Sequence, residues 1–253
     1  MLIDYSVARP PIPLLKAAGV TAVIRYLGWD CEPGYQCTRK NLTLPEKNAL
    51  LAAGIQIGLS FEYGATAALN GARQGTADGQ LASRQLHDLG MAAPGTGVYY
   101  AIDFDVKDYA PALPEGGPAN ARAKLGPVAA YFDAIHATHP THEVDGYGGY
   151  WAVRRLLDAG LIRRGWQTTA WSGGQWDSRA VLHQLASRWQ GFADVDLHTA
   201  SGPDFGQWPR PVLPPAPPPA VVTDGILVSH TMGWTGHHVE SRDHGKTWTA
   251  VNP

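Results

Sequence analysis

The stretch Val98-Tyr99-Tyr100-Ala101-Ile102-Asp103-Phe104-Asp105 decides the fold, because it joins a strand pattern to two acids at one end. Successive side chains of a strand point to opposite faces, so the apolar residues at even positions share one face and both aspartates share the other. We expect the apolar face to lie beneath helices. Asp103 and Asp105 are then expected to point together into the mouth of a barrel.

Two earlier strands repeat this arrangement of an inward acid at the strand end. Asp4 has that position on the first strand, and Glu62 follows Ser60 on the third. Acids gathered at one end concentrate negative charge, which is expected to raise the pKa of at least one carboxyl group. Glycoside hydrolysis needs one protonated and one ionised carboxyl group. The pattern predicts a carboxylate site, with Asp105 as general acid and Asp103, Asp4 or Glu62 as its partner.

Units of helix, glycine and strand recur along the first part of the chain. Helical patterns end at Gly19, Gly54 and Gly90, which lie 35 and 36 residues apart, and an apolar strand follows each glycine. Thr43 and Glu46 have the spacing of a capping box at the start of the second helix. Parallel strands need a crossover, which a helix usually provides, so the repeat favours a parallel α/β sheet.

The strand count favours one barrel with a small appendage. About eight strands are predicted within residues 1–208, which indicates a compressed (β/α)8 barrel of TIM type with short or missing helices. A doubly wound open sheet is the alternative, and both place ligand sites at the carboxyl ends of the strands. Residues 209–220 are proline-rich and predict an extended linker. Residues 221–253 predict a small β appendage, expected to dock on the barrel, on another subunit or on a virion partner.

The bulk composition excludes some classes of partner. The 20 Lys and Arg residues oppose 22 Asp and Glu residues, so a nucleic-acid partner is not predicted. The sequence contains no run of about 18 apolar residues, so a membrane-spanning helix is not predicted. The first residues lack a signal-peptide pattern, so a protein acting outside a cell would need another route of delivery. Cys31 and Cys37 flank a turn, and a disulfide or two free thiols both fit that spacing.

Seven short motifs occur in an order that resembles a known family. They are Ile3-Asp4-Tyr5-Ser6, Ile24-Arg25-Tyr26-Leu27, Leu42-Thr43-Leu44-Pro45-Glu46, Phe61-Glu62-Tyr63, Tyr100-Ala101-Ile102-Asp103-Phe104-Asp105, Gly146-Tyr147-Gly148-Gly149-Tyr150 and Trp166-Gln167-Thr168-Thr169-Ala170-Trp171. Over about residues 1–200 the chain resembles the glycoside-hydrolase-like domains of unknown substrate in actinobacterial exported proteins and phage proteins, which are related to the family 25 muramidases. The resemblance implies a barrel and a carbohydrate ligand, such as peptidoglycan or another cell-envelope glycan.

One departure from the muramidase pattern bears on catalysis. The family 25 muramidases carry Asp-x-Glu at the end of this strand, with the Glu as the expected acid, whereas this chain has Asp103-Phe104-Asp105. The shorter side chain places its carboxyl group about one methylene further from a leaving oxygen, and small displacements can be costly. Hydrolysis by a muramidase-like mechanism and binding without hydrolysis therefore both remain open.

Further residues near predicted strand ends are candidates for ligand contact. Arg25 can pair with a carboxylate or with a substrate anion, and aromatic rings can form a wall on which a sugar stacks. Structural packing explains Arg25 and the aromatic residues equally well, and roles on a loop surface explain Gln184 and Asp196 at least as well. The substrate-binding candidates are Arg25, Tyr63, Tyr147, Tyr150, Trp171, Gln184 and Asp196.

Two other motifs favour structural explanations. His136, His139 and His142 are evenly spaced, but Pro140 interrupts any helical face and no cysteine joins them, so neither a metal nor a cofactor is predicted. Residues 241–248, Ser-Arg-Asp-His-Gly-Lys-Thr-Trp, resemble the Asp-box of sialidases, a hairpin element that commonly lies away from the catalytic centre. This motif indicates a β hairpin rather than sialidase activity.

Three functions fit the sequence. A glycosidase acting on a bacterial cell-wall glycan would lose turnover, but keep binding, on Asp105→Asn. A non-catalytic glycan-binding module of a phage tail or an exported envelope protein would bind without turnover at any pH. An intracellular sugar-processing enzyme is the third. The order of barrel, linker and appendage favours a phage endolysin or a virion component, that is, an extracellular or virion-associated protein.

Overall fold

The structure is a computed structural model of the chain. It describes residues 1–29, 39–62, 64–189 and 195–210, of which 187 and 188 by their backbone alone, and the backbone of 238–240 and 249–251. The chain divides into two compact units, Met1–Pro211 and Val212–Pro253. Tyr63, the cysteine pair, most of the proline-rich segment and the Asp-box-like motif lie outside the described residues. Within the described ranges, no helix is long and apolar enough to cross a membrane.

Eight strands of the first unit close into a barrel. The strands are β1 (Leu2–Tyr5), β2 (Ala22–Leu27), β3 (Gln56–Phe61), β4 (Gly97–Ala101), β5 (Glu143–Gly148), β6 (Gly165–Thr168), β7 (Ala180–Arg188) and β8 (Val195–Ala200). The helices are α1 (Ile12–Ala17), α2 (Leu44–Ala52), α3 (Gly71–Asp88), α4 (Pro118–Leu125), α5 (Pro127–Ala137) and α6 (Tyr150–Asp158), with a 3-10 turn at Ala67–Asn70.

The direction of the strands changes at the end of the barrel. Neighbouring strands from β1 to β7 are parallel, whereas β8 is antiparallel to both β7 and β1. β7 ends at Arg188 and β8 begins at Val195, a separation too short for a crossover helix. The barrel is closed, so the predicted TIM-like barrel with missing helices is confirmed and the open-sheet alternative is wrong.

The alternation along β4 separates two apolar layers. Tyr99 points inward, where its ring meets the edge of Trp166 at 5.8 Å between centroids. Tyr100 points outward against Tyr131 and Phe132 of α5, each at 6.3 Å. The predicted burial of the even-numbered face beneath helices is therefore confirmed. The inner cluster consists of Leu2, Ala22, Ile24, Tyr99, Trp166, Leu182 and Phe205.

The helix predicted within residues 121–138 is two helices. Gly126 separates α4 from α5 and has a φ of 54°, a left-handed conformation that favours glycine. A Cβ at Gly126 would lie 2.6 Å from the ring of Tyr109. Pro127 then opens α5, where its missing N–H costs nothing. The sharp corner between α4 and α5 thus has a steric cause.

One of the two hydrogen bonds of the capping box predicted at α2 forms. The hydroxyl of Thr43 accepts the amide of Glu46 at 3.3 Å, as expected. The Glu46 carboxylate does not reach back, because it accepts charge-assisted bonds from Arg25 at 2.7 Å and Arg9 at 3.0 Å. A tertiary ion pair therefore replaces the local contact.

The segment after β8 closes the amino end of the barrel. Phe205 fills the interior there, and its carbonyl accepts the hydroxyl of Tyr99 at 2.7 Å. Trp208 and Ile57 exchange backbone hydrogen bonds of 2.7 and 2.8 Å. With this end plugged, a ligand reaches the interior from the carboxyl end.

The described part of the second unit is a short antiparallel pair. β9 (His238–Glu240) lies beside β10 (Thr249–Val251), with Ala250 opposite Val239. The domain limits 1–208, 209–220 and 221–253, and docking or self-association through 221–253, stay predictions.

Candidate functional site

A pocket of about 180 Å³ opens at the carboxyl end of the barrel. Every side chain that lines it comes from the inward face of a strand or from the residues just beyond one. The lining is Tyr26, Ser60, Glu62, Ala101, Asp103, Tyr147, Trp166, Gln184 and Asp196. None of these described lining residues is Lys or Arg, so the wall carries three carboxyl groups without a basic side chain of its own.

The surroundings of Asp103 raise the pKa of its carboxyl group. Burial is the largest cause that raises the pKa of the Asp103 carboxyl group, and the negative charge of Glu62 raises it further. Lys40 opposes this effect from the pocket rim, where its ammonium lies 3.1 Å from Glu62 and 5.3 Å from the ring centre of Tyr26. The expectation that clustered acids raise a pKa therefore holds, at Asp103.

Asp4 is buried below the pocket floor in a network of its own. One carboxylate oxygen accepts the hydroxyl of Tyr26 at 3.2 Å, and the other lies 2.8 Å from Nε2 of His198. Burial is the main cause that raises the pKa of Tyr26 well above its usual value, so the phenol stays a donor. Asp4 thus supports the pocket through Tyr26 rather than lining it.

A second network runs from β5 through β7 to β8. The hydroxyl of Tyr147 donates to Gln184 at 2.6 Å, and the amide of Gln184 donates to Asp196 at 2.9 Å. The ring of Tyr147 also packs on Trp166, with 4.4 Å between centroids. The sequence candidates Tyr147, Gln184 and Asp196 are therefore brought together with Glu62.

Asp105 lies apart from this group, which corrects the expectation that it points into the barrel mouth with Asp103. β4 ends at Ala101, so the strict alternation of a strand no longer applies two residues beyond Asp103. Asp105 is exposed and lines a separate shallow depression beside Trp171.

Arg25 also lies outside the pocket. It alternates with the inward Ile24 and Tyr26, and its side chain is fully buried on the outer side of β2. The guanidinium donates to Glu46 at 2.7 Å and to the carbonyl of Lys40 at 2.9 Å. Its expected carboxylate partner is thus a residue of α2.

The remaining aromatic candidates do not form one wall. Tyr150 is buried in the first turn of α6, and its hydroxyl accepts from Arg154 at 2.6 Å. Trp171 stands on the loop after β6 and is 38% exposed. Tyr63 lies outside the described residues. Of the four predicted aromatic residues, Tyr147 lines the acidic pocket.

Sequence reasoning missed Tyr26, Trp166 and His198 as members of the site. The signal was present for Tyr26, because alternation from Ile24 places it inward at the end of β2. Trp166 is buried, and its indole N–H has no acceptor among the described residues. A buried donor without a partner is uncommon, and this one belongs to a residue that lines the pocket.

The three evenly spaced histidines diverge. Nε2 of His136 lies 2.9 Å from the carbonyl of Leu161, whereas Nε2 of His142 meets the hydroxyl of Tyr100 at 2.9 Å. Burial lowers the pKa of His142 to about 4, so its ring is neutral at pH 7. These contacts belong to the outer packing layer.

A family model described as the Rv2525c-like, glycoside hydrolase-like domain matches residues 14–199. The chain belongs to this family. The resemblance inferred from the seven motifs is thereby confirmed. The matched residues run from α1 into β8, so they include the three acids that line the pocket but not β1.

Solved structures show the same fold. The Tat-secreted protein Rv2525c of Mycobacterium tuberculosis, in complex with HEPES, has a TM-score of 0.66 and 24% identity over 82% of this chain and 98% of that one. GHIP, a glycosyl hydrolase 25 of Streptococcus pneumoniae, has a TM-score of 0.51 and 12% identity over 79% and 86% of the two chains. At these identities the likeness concerns the fold. No curated protein matches the sequence.

Proposed function

We propose that this Rv2525c-like domain hydrolyses a glycan of the bacterial cell envelope, of which peptidoglycan is the first choice, at the acidic pocket. The observation that carries the proposal is the gathering of Glu62, Asp103 and Asp196 with aromatic rings in one pocket. Most glycosidases use a pair of carboxyl groups, and aromatic rings offer flat apolar surfaces on which a sugar can stack. GHIP, whose fold is similar, is described as a glycosyl hydrolase 25.

The roles of the acids follow from their surroundings. Asp103 is the proton donor, because burial and the charge of Glu62 raise its pKa and favour the protonated form. Glu62, which pairs with Lys40, is the ionised partner that stabilises the developing positive charge on the sugar. This assignment replaces Asp105 as general acid and keeps acid–base chemistry by carboxyl groups.

The other pocket groups bind and orient the sugar. Gln184 holds Asp196 and Tyr147 in place, and Trp166, on which the ring of Tyr147 packs, forms part of the wall against which a sugar can lie. The volume of about 180 Å³ is below the roughly 300–1,000 Å³ of pockets for drug-sized ligands, so one sugar ring is the appropriate occupant.

The cell envelope is the proposed place of action. Rv2525c, which is similar over most of both chains, is described as Tat-secreted, and a glycan substrate of the envelope requires such an export step. Delivery by a phage remains the alternative route that the sequence layout suggested.

The decisive experiment measures release of soluble fragments from purified actinobacterial cell walls between about pH 4 and 8. The wild type is compared with Asp103→Asn, which keeps the shape but loses the proton, and with Asp133→Asn, a control on the exposed face of α5. We expect Asp103→Asn to slow release at least 100-fold and the control to match the wild type.

Two outcomes would contradict the proposal. Release that persists in Asp103→Asn but disappears in Asp105→Asn would move the proton donor out of the pocket. Binding of the walls by the wild type with no release at any pH would assign the domain to glycan binding without hydrolysis.

A further inference from the structure

The direction of the hydrogen bonds in the acidic pocket limits the ligands that it can take. A hydroxyl group both donates and accepts, so its role toward a ligand depends on where its proton is already engaged. The hydroxyl groups of the described lining belong to Tyr26, Ser60 and Tyr147. Each of them donates to an acceptor within the protein. Their oxygens, rather than their protons, are therefore what they offer to a ligand.

The protons of Tyr26 and Ser60 are engaged beneath the lining. The Tyr26 hydroxyl donates to a carboxylate oxygen of Asp4 at 3.2 Å, and a carboxylate can only accept. The other oxygen of Asp4 lies 2.8 Å from Nε2 of His198, which fixes the carboxylate in place. The Ser60 hydroxyl donates to the backbone carbonyl of Tyr99 at 3.3 Å. Neither proton is directed at a ligand in the pocket.

The amide of Gln184 fixes the proton of Tyr147 as well. Asp196 lies 2.9 Å from one end of this amide, which is the NH₂ end because a carboxylate accepts. The carbonyl end then faces the Tyr147 hydroxyl at 2.6 Å, so the phenol is the donor of that bond. The Tyr147 oxygen thus keeps a lone pair for a ligand, and Asp196 determines this orientation through Gln184.

Most other polar atoms of the described lining are acceptors too. The ionised carboxylates of Glu62, Asp103 and Asp196 only accept hydrogen bonds. The donors on the same lining include the second amide hydrogen of Gln184. They also include the acid proton of Asp103, which the proposed function assigns to the leaving oxygen.

Two further donors contribute little to the pocket surface. Trp166 presents its ring, because its indole nitrogen is itself buried. The ammonium of Lys40 lies at the rim, where the Glu62 carboxylate engages it at 3.1 Å. Acceptors therefore predominate over available donors on the described lining. Such a pocket is complementary to a ligand that has several donors and no acid group.

The two sugars of peptidoglycan differ in this respect. N-acetylglucosamine is uncharged, and its O3 atom belongs to a hydroxyl group that can donate. In N-acetylmuramic acid the same oxygen is an ether that carries a lactyl group, so a donor is lost and further acceptors are added. An acceptor that faces another acceptor stays unpaired, which costs affinity. The pocket of about 180 Å³ suits one ring, so the lactyl branch also has little room.

We propose that the ring held in the acidic pocket is N-acetylglucosamine and not N-acetylmuramic acid. This inference rests on the proposed glycan hydrolysis and deepens it, because it names the bond that is cleaved. Asp103 gives its proton to the leaving oxygen as the bond between that oxygen and C1 of N-acetylglucosamine breaks. Water supplies the hydroxyl group that C1 gains and returns a proton to the pocket carboxylates. The new reducing end of each product is then N-acetylglucosamine.

The reducing ends of the released fragments test this inference. Cell walls boiled to inactivate their own enzymes are digested with the wild type and, as background, with Asp103→Asn. The fragments are reduced with borohydride and hydrolysed in acid, and the terminal amino alcohols are quantified. We expect glucosaminitol in about tenfold excess over muramicitol. Muramicitol in equal or greater amount overturns the inference alone, whereas absence of released fragments overturns the proposed hydrolysis together with it.

Two phenylalanine variants test the acceptor role of the lining. Tyr147→Phe keeps the ring that packs on Trp166 but removes the hydroxyl oxygen, and we expect the initial rate of release to fall about tenfold. Tyr109→Phe is the matched control, because Tyr109 is exposed and lies outside the pocket lining.

The distribution of end groups separates recognition from stability. In Tyr147→Phe the share of muramicitol among the new ends should rise, which a loss of folded protein alone would not produce. Thermal unfolding of both variants measures their folding independently. Equal rates and equal end groups in the two variants overturn the role of the Tyr147 oxygen in selecting the sugar.

Discussion

The carboxyl groups at the two ends of the barrel differ in their surroundings. At the amino end, Asp145 is fully buried and faces Arg164 across 3.5 Å, beneath the plug formed by Phe205. At the carboxyl end, Glu62 and Asp103 share a pocket wall without a basic residue of its own. The same strand, β5, contributes Asp145 to one end and Tyr147 to the other. The contrast separates an end built for stability from an end built for chemistry, as expected of such barrels.

The largest expected effect comes from unbalancing the closed end. Arg164→Ala leaves the Asp145 carboxylate buried without its cation, and we expect a loss of about 3–5 kcal/mol in the free energy of unfolding at pH 7. Burial raises the pKa of Asp145, so the folded variant can bind a proton there in acid. The deficit should shrink at pH 5 and grow at pH 8, as measured by urea denaturation. Arg163→Ala removes an exposed pair with Glu143 and should cost less than about 0.5 kcal/mol.

Emptying the plug is the next test of that end. Phe205→Ala removes a buried ring from the inner cluster, and we expect a loss of about 3 kcal/mol in unfolding free energy. Phe205→Leu keeps most of the volume and should lose less than about 1.5 kcal/mol. Glycan affinity of the folded fraction should match the wild type in both. A large loss of affinity at low denaturant would show that the ends are not independent.

Removing the positive charge of Lys40 tests the role of Asp103 at the open end. Lys40 lowers the pKa of Asp103, so Lys40→Gln should raise that pKa and keep Asp103 protonated to higher pH. The alkaline limb of the pH–rate profile should then move to higher pH, by less than about one pH unit, because the pair is partly exposed. Lys16→Gln, on an exposed part of α1, serves as the control. Movement of the alkaline limb to lower pH would contradict the role of Asp103 as proton donor.

The smallest effect concerns stability at the open end. Because the pKa of Asp103 is raised in the folded state, its contribution to stability is present in acid and is lost as the pH rises through that pKa. Asp103→Asn removes this dependence and should stabilise the protein at pH 7 by less than about 0.5 kcal/mol, after allowance for solvent screening. Thermal unfolding at pH 4 and pH 7 measures the difference. Destabilisation at pH 7 would show that the carboxylate is needed for folding.

Alternation along the strands was enough to predict much of the site. Glu62 and Asp103 point inward because each continues the inward face of its strand, and the same rule applied to β2 would have excluded Arg25 and included Tyr26. The closed barrel followed from the repeated helix–glycine–strand units.

The errors arise where tertiary contacts override local patterns. The position of Asp105 depends on where β4 ends, which no local signal marked. The Glu46 carboxylate does not complete the capping box, because it forms a stronger, charge-assisted hydrogen bond with Arg25, which is distant in sequence. The antiparallel direction of β8 and the plug after it involve pairings between residues far apart in the chain, so local periodicity does not encode them.

The contact between Asp4 and His198 links residues 194 positions apart. During synthesis, β1 leaves the ribosome almost two hundred residues before its antiparallel neighbour β8, and until then its hydrogen-bonding edge has no partner there. Strand closure over such a distance is slow, and an open edge of this kind invites pairing with other chains. The last strand of the barrel, β8, supplies Asp196 and His198, so the nascent protein acquires its pocket only as the barrel closes.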